Sequence, residues 1–223
     1  MAAYDLEEQE QLDELKTWWK MYGNLITLVV TAAAVAVLGW QAWNWWQRNQ
    51  AAQASALYGG LQAAAAQGDN KRARELAGEL IDKFSRSSHA GLAALLSARI
   101  LADGGDLKSA RAQLAWAADN ARDDGIRDLA RLRLAAVMAD DQAADEALKQ
   151  LASEPAGPLA PRFNELRGDI LAGQGKTAEA KAAYELALAK LDATIKESGT
   201  DPRLHGAYRE LLEGKLDAIG GGK

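Results

Sequence analysis

Hydrophobic and polar positions divide the chain into two regions with different patterns. From Met21 to Gln47 there is no charged residue, and residues 25–40 read LITLVVTAAAVAVLGW. After Arg48, apolar residues recur at spacings of three and four, alanine is abundant and β-branched residues are sparse. The first pattern predicts one long apolar helix, and the second predicts a series of amphipathic helices without strands.

The apolar segment has the length and the flanks of a membrane-spanning helix. About 20 apolar residues are needed to cross roughly 30 Å of hydrocarbon. Six of the seven tryptophans border the segment, as is typical of membrane interfaces: Trp18, Trp19, Trp40, Trp43, Trp45 and Trp46. A cleaved signal peptide would need a basic leader and a small-residue cleavage site, and a buried core helix would carry charge on its solvent side. We therefore expect a transmembrane helix over residues 21–47, after an acidic cytoplasmic leader over residues 1–20.

The orientation of this helix follows from the basic residues at its two ends. Lys16 and Lys20 precede the segment closely, whereas only Arg48 follows it closely. Since cytoplasmic flanks carry the excess of basic residues, we expect the N-terminus in the cytoplasm and residues 48 onward outside it. Within the span, Ala32, Ala36 and Gly39 share one face, which would permit the close approach of a neighbouring membrane helix.

The region after the membrane segment reads as a run of nine helices with a repeated internal pattern. A small residue followed by packing residues four and seven positions later recurs four times, beginning at Ala73, Ala110, Ala144 and Ala180, which are 37, 34 and 36 residues apart. The helices are predicted over residues 49–66, 70–84, 90–103, 107–121, 126–138, 142–152, 161–173, 177–196 and 202–218.

Turn residues accompany each copy of the pattern. Five positions before each small residue lies a candidate helix-ending residue, followed by a candidate N-cap: Gly68 and Asp69, Gly105 and Asp106, Ala139 and Asp140, and Gly175 and Thr177. This period and chemistry are typical of tetratricopeptide-type helix pairs. We predict an all-α fold, in which the membrane helix precedes an α-solenoid of about four degenerate pairs over residues 48–199 and a C-terminal helix with a glycine-rich tail over 200–223. A generic bundle of four helix pairs is the alternative.

Charge and composition narrow the functional classes. The 223 residues carry a net charge of -5, but residues 1–20 hold six acids, so the remainder is nearly neutral with 25 acids and 24 bases. This balance argues against nucleic acid as a partner. The chain has no cysteine and two histidines, and residues 173–177 lack the earlier glycine of a phosphate-binding loop. We expect no metal, no cofactor, no small-molecule substrate and no catalysis.

A binding surface is the remaining possibility. In helix-pair repeats the first helices line the concave side, so equivalent positions of successive copies form ridges. One predicted ridge contains Tyr58, Leu95, Leu129 and Glu165, and the adjacent ridge contains Gln62, Arg99, Arg133 and Asp169. We interpret these residues as a candidate groove for a partner segment. The alternative is that the leucines pack between repeats while the arginines are merely solvated.

Several local sequences occur here in an order that resembles a known family. They are the membrane-proximal run LKTWWKMYG at residues 15–23, Gly39-Trp40 at the end of the span, LRLA at residues 132–135, and the stretch from Arg167-Gly168-Asp169 through Ala180 and Tyr184. Together they resemble the ancillary SecYEG translocon subunits, which are tetratricopeptide repeat-like proteins of the bacterial inner membrane. The tail from Thr200 to Lys223 looks longer than the usual ending of that family.

The resemblance implies a function that the residues alone do not supply. It implies a periplasmic repeat domain that acts as an accessory or adaptor subunit of the Sec export channel, contacting SecYEG, a membrane-anchored periplasmic chaperone or emerging secretory proteins. The residues alone support only a membrane-tethered helical-repeat adaptor. A tetratricopeptide-type scaffold for another envelope assembly, such as outer-membrane protein insertion or cytochrome maturation, is the alternative function.

Overall fold

Every regular element in the described part of the chain is helical, which confirms the all-α prediction. The computed structural model describes residues 2–220, with side-chain burial from residue 12; side chains 1–11 of the leader and residues 221–223 of the glycine-rich tail lie outside the described residues. The elements are α1 (Ala2–Ala66), α2 (Asn70–Lys83), α3 (Ser88–Asp103), α4 (Leu107–Asn120), α5 (Asp124–Asp140), α6 (Ala144–Gln150), α7 (Ala160–Gly173), α8 (Thr177–Ser198), a 3₁₀ turn (Pro202–His205) and α9 (Gly206–Gly220).

The chain divides into two units, Met1–Ala52 and Gln53–Lys223. Within the first unit, α1 supplies the helix that is long and apolar enough to cross a membrane, with a mean hydropathy of 2.0 and no burial over the best 18 residues. Large apolar side chains such as Leu28 and Leu38 are 67% and 63% exposed. A soluble protein rarely leaves such a surface uncovered, so lipid is the environment that accounts for it.

The structure has no helix boundary at the predicted end of the membrane segment. We expected a separate helix to begin at residue 49, whereas α1 continues to Ala66 as one element. Residues 47–51 read QRNQA and contain neither proline nor glycine, so nothing in this stretch ends a helix.

The second unit is a stack of helix pairs. The end of α1 packs with α2 in an apolar cluster that includes Leu61 and Leu80, and the further pairs are α3 with α4, α5 with α6, and α7 with α8. Successive first helices also contact each other, since α3 touches α5 and α5 touches α7. Helix α9 packs on α8, as α3 packs on α2 and α5 on α4. It therefore takes the place of the first helix of a further pair.

The turns between the helices of each pair place one residue in the left-handed conformation. Gly68, Gly105 and Gly175 adopt φ values of +75°, +80° and +73°, as predicted for glycine at these positions. The side chains of Asp69 and Asp106 then accept hydrogen bonds of 3.0 Å from the backbone N–H groups of Arg72 and Ser109. These two predicted N-caps are confirmed, whereas Thr177 is the first residue of α8 and does not cap it.

The third turn differs from the sequence prediction. We placed it at Ala139 and Asp140, but α5 continues through Asp140 and the left-handed residue is Gln142, with φ of 60°. Residue 142 is the one place where this conformation falls on a residue other than glycine in the described chain. The glycine signal was therefore missing, and the predicted register of the third copy was three residues too early.

The corrected register explains the packing of all four copies. The fifth residue after each left-handed position is Ala73, Ala110, Ala147 and Ala180, and each of these alanines is 0% exposed. The predicted Ala144 is only partly buried. A side chain of one methyl group lets the two helices of a pair approach closely. The third copy therefore begins at Ala147, with its next packing position at Leu151, also 0% exposed.

The C-terminal element also begins differently from the prediction. We expected one helix over residues 202–218, whereas residues 202–205 form a 3₁₀ turn and α9 starts at Gly206. The side chain of Asp201 accepts a 3.0 Å hydrogen bond from the Arg203 N–H and Pro202 starts the turn, so a tight turn precedes the helix.

The closest helix crossing in the last pair gives a test of the packing. A Cβ placed on Gly168 would lie inside the van der Waals contact distance of the Tyr184 ring, which is itself fixed by a 2.7 Å hydrogen bond to Asp169. We expect Gly168→Ala to destabilise the protein by about 1–3 kcal/mol through overpacking. Thermal unfolding of the full chain in detergent, followed by circular dichroism, measures the effect.

Gly173→Ala is the matched control, because a Cβ at this other glycine of α7 meets no heavy atom within 4 Å. It should leave stability unchanged or raise it by at most about 1 kcal/mol, the usual gain of alanine over glycine in a helix. Equal changes in thermal stability for the two substitutions would contradict the close contact between Gly168 and the Tyr184 ring.

Candidate partner-binding surface

The corrected register changes which residues are equivalent on the first helices. Counting ten residues back from each left-handed residue gives Tyr58, Leu95, Leu132 and Glu165, and counting six back gives Gln62, Arg99, Ala136 and Asp169. We call these eight residues the first-helix surface. Leu129 and Arg133 were assigned to these ridges from the sequence, but they lie three residues away from the equivalent positions. The predicted pairing of Arg99 with Arg133 at one repeat position is therefore corrected.

The apolar members of the predicted groove take part in packing. Leu95 is 5% exposed and belongs to the central core cluster, and Leu129 is partly buried against the same cluster. Tyr58 is half-buried, with its ring centroid 5.3 Å from that of His89. Most of the surface of these three side chains is thus already covered within the second unit.

The two arginines are accessible. Arg133 is exposed, and the side chain of Arg99 is 74% exposed with its Nε atom 3.7 Å from the Asp103 carboxylate in the same helix. An ion pair between side chains this exposed contributes little to stability. The guanidinium of Arg99 is therefore available to a partner at small cost.

The acidic members of the surface converge on a residue that sequence reasoning missed. The Nζ atom of Lys215 in α9 donates to Glu165 Oε1 at 2.8 Å and to the two carboxylate oxygens of Asp169 at 2.7 and 2.8 Å. Glu165 is 7% exposed, so its charge requires such a partner. Lys215 lies 50 and 46 residues away in sequence, and no local pattern links it to these carboxylates.

Residues around this ion-pair cluster join α7, α8 and α9. The Tyr184 hydroxyl of α8 donates to Asp169 at 2.7 Å, and Arg162 of α7 donates to Glu165 at 3.0 Å. The Arg162 guanidinium also lies 3.7 Å from the centroid of the Tyr208 ring in α9, which is cation-π geometry. Polar contacts thus hold the C-terminal helix to the last pair.

The protonation behaviour of the cluster follows from these contacts. Burial is the largest single influence on Glu165 and favours its neutral form. The hydrogen bonds from Lys215, Tyr208 and Arg162 and the charge of Lys215 together outweigh burial and hold the pKa of the carboxyl below its ordinary value. Burial likewise opposes the charge of Lys215, but Asp169 and Glu165 raise the pKa of the ammonium group. Burial and the Asp169 carboxylate raise the pKa of Tyr184, so its hydroxyl remains a donor.

An open depression of about 490 Å³ adjoins this cluster between α5 and α7. Its apolar lining includes Ala136, Ala139, Leu166 and Ile170. Asp140 and Asp169 also line it. The depression can hold part of a partner side chain. In the described residues no group of three or more histidine, cysteine, aspartate or glutamate side chains is placed to hold a metal ion.

The candidate contact face of the membrane helix lies in the first unit. Ala32, Ala36 and Gly39 are all exposed, and a Cβ placed on Gly39 meets no heavy atom within 4 Å. The face is open to a neighbouring helix or to lipid.

The fold and its anchor define a class: a membrane-anchored helical-repeat protein of the tetratricopeptide type. A family model described as a tetratricopeptide repeat-like domain matches residues 16–221. This match runs through α9, so the expectation that residues 200–223 extend beyond the usual family ending is wrong for nearly all of the tail.

Relatives identify the family within this class. The chain is 32% identical over 186 residues to a protein of Aggregatibacter actinomycetemcomitans, covering 83% of this chain and 90% of the relative. It is 29% identical over 220 residues to a protein of Neisseria gonorrhoeae, covering 98% and 100%, and 29% identical over 194 residues to one of Escherichia coli, covering 87% and 92%. Each of the three is named ancillary SecYEG translocon subunit. The chain belongs to this family, as the sequence resemblance predicted.

The cluster predicts a specific pH dependence. Because the pKa of Glu165 is lowered on folding, the carboxylate stabilises the protein at pH values above its ordinary pKa of 4.5, and this contribution disappears as pH falls through the lowered value. We expect Glu165→Gln to cost about 1–3 kcal/mol at pH 7 and progressively less below pH 4.5. Urea unfolding of both proteins at several pH values measures the difference.

The comparison isolates one carboxyl, because the other acidic groups titrate in both proteins. The groups that face Glu165 and Lys215 also remain, namely Arg162 and Asp169 of α7, Tyr184 of α8 and Tyr208 of α9. If Glu165→Gln lowers the free energy of unfolding equally at pH 7 and pH 3, the Glu165 side chain stabilises the fold without its charge.

Proposed function

We propose that the protein is an accessory subunit of the Sec protein-export channel, acting as a membrane-anchored adaptor through protein contacts and not through catalysis. The observation that carries this proposal is the family relationship, since relatives matched over 83–98% of this chain are named ancillary SecYEG translocon subunits. A repeat domain tethered by one apolar helix suits this role, because the tether keeps a binding surface near a membrane-embedded partner and raises its effective concentration there.

The anchor would fix the orientation of the protein. We infer that residues 21–47 span the bacterial inner membrane with the acidic leader in the cytoplasm and the repeats in the periplasm, as the excess of Lys16 and Lys20 over Arg48 favours. The exposed face of Ala32, Ala36 and Gly39 would lie against a membrane helix of the channel. Small side chains there permit close backbone approach.

The repeat domain would provide the contacts outside the membrane. Arg99 and Arg133 are exposed cations that suit carboxylate or backbone-carbonyl groups of a partner segment. The depression beside Ala136 and Asp169 supplies a recess for a partner side chain. Tyr58, Leu95, Leu129 and Glu165 would shape this surface through packing. The partners we propose are SecYEG, a membrane-anchored periplasmic chaperone and emerging secretory chains.

Reporter fusions test the orientation. Alkaline phosphatase fused after Lys223 should be active, because the enzyme matures only outside the cytoplasm, whereas the same enzyme fused before Met1 should be inactive. Activity of the N-terminal fusion with an inactive C-terminal fusion would reverse the topology.

Photo-crosslinking in intact membranes tests the partners and the surface together. A photoreactive amino acid at Arg99 or Arg133 should yield adducts with channel subunits or a periplasmic chaperone. The same amino acid at the exposed Ala112 and Lys149, on the second helices α4 and α6, is the matched control and should yield at least several-fold fewer adducts. Purification in mild detergent followed by mass spectrometry identifies the partner.

Three outcomes would contradict the proposal. Adducts only from Ala112 and Lys149 would move recognition to the second helices. Adducts only from residues 15–45 would assign recognition to the anchor and leave the repeats as a spacer. Adducts with a different envelope complex would exclude the Sec assignment.

A further inference from the structure

Helix α9 covers part of the first-helix surface of the last pair. Glu165 and Asp169 occupy the repeat positions that Tyr58 and Gln62 hold in the first pair and Leu95 and Arg99 in the second. At the first of these positions Leu95 is buried, as Glu165 is. At the second, Gln62 and Arg99 are exposed, whereas the carboxylate of Asp169 is bound by Lys215. The end of the surface is therefore occupied from within the same chain.

The apolar attachment of α9 rests on one fully buried side chain. Leu212 is its one buried residue, and Tyr208, Leu216 and Ile219 pack partly exposed against the same cluster. Leu204 and Leu211 in the C-terminal segment are 76% and 46% exposed. The segment before α9 contains Gly199 in the left-handed conformation and the 3₁₀ turn that starts at Pro202. Elements with few fully buried side chains open at low free-energy cost. Because α9 packs on α8 and is bound to α7 through Lys215, it can detach while the earlier pairs keep their packing.

The seated helix also shows which chemistry the covered surface accepts. One lysine ammonium satisfies two carboxylates of α7, and one leucine side chain enters the apolar cluster of the last pair beside Tyr184 and Leu191. These two side chains are three residues apart, at Leu212 and Lys215, and thus lie on one side of a helix.

We propose that α9 is a displaceable strap on the last pair, and that a partner helix bearing a leucine and a lysine three residues later replaces it. The strap makes partner binding and α9 docking mutually exclusive. The apparent affinity of the partner is then its intrinsic affinity multiplied by the fraction of molecules in which α9 is undocked. The inference goes beyond the adaptor role, because it holds whichever assembly supplies the partner helix.

A competition experiment on the full chain in detergent tests the strap. The probe is a fluorescent synthetic peptide with the sequence of residues 200–220, which carries the leucine and the lysine of α9. Lys215→Met in the chain weakens the internal contact but leaves the receiving carboxylates intact. Lys196→Met is the matched control, since Lys196 is exposed at the end of α8.

We expect the Lys215→Met chain to bind the peptide roughly tenfold or more tightly than the wild-type or Lys196→Met chain. The same peptide with methionine at its lysine position, or a chain that also carries Asp169→Asn, should lose this gain. Hydrogen exchange of the α9 amides should quicken roughly tenfold in Lys215→Met while exchange in α8 stays unchanged.

Two results would show that α9 is a fixed cap and would overturn the strap. One is equal affinity of the three chains for the peptide, and the other is exchange of the α9 amides only together with those of α7 and α8. A Lys215→Met chain that forms dimers by exchanging α9 between copies would overturn the assignment to a partner helix. None of these readouts involves the export channel, so failure of the strap is separable from failure of the adaptor role.

Discussion

Close approach of the two helices in each pair is the constraint on which the repeat domain depends. Ala73, Ala110, Ala147 and Ala180 each present one methyl group at the crossing and are fully buried. In the last pair a second small residue, Gly168 of the first helix, lies against the Tyr184 ring of the second helix. With small residues at these points, most of the core consists of helix surfaces in direct contact, and it needs few large side chains.

Local chemistry made much of the fold predictable from the sequence. Apolar periodicity, glycine turns and aspartate caps located the helices, because each of these signals depends on residues only a few positions apart. The register of the third copy was predicted wrongly for the same reason. Its left-handed residue is Gln142, which carries no turn signal. Leu129 and Arg133 were therefore assigned to ridge positions that lie three residues too early.

The candidate surface was less predictable because its chemistry is set by distant residues. Helical spacing places Arg99 on an exposed face, but it does not decide whether Leu95 faces a partner or packs between repeats, and the structure places Leu95 in the core. Nor does it reveal that Lys215 binds Glu165 and Asp169 across 50 and 46 residues. Contacts of this kind arise only when α9 takes its place beside α7 and α8.

The short helix α6 has a mechanical consequence for the repeat stack. It contains seven residues, its N-cap residue Ala143 makes no side-chain cap, and it follows the non-glycine turn at Gln142. By contrast, α4 and α8 have 14 and 22 residues. Bending stiffness in a stacked array depends on the area shared by neighbouring layers. Helix α6 also contacts α7 less extensively than α4 contacts α5. We therefore expect the third pair to be the most compliant part of the array, at which the two ends can change their mutual angle while each end keeps its shape.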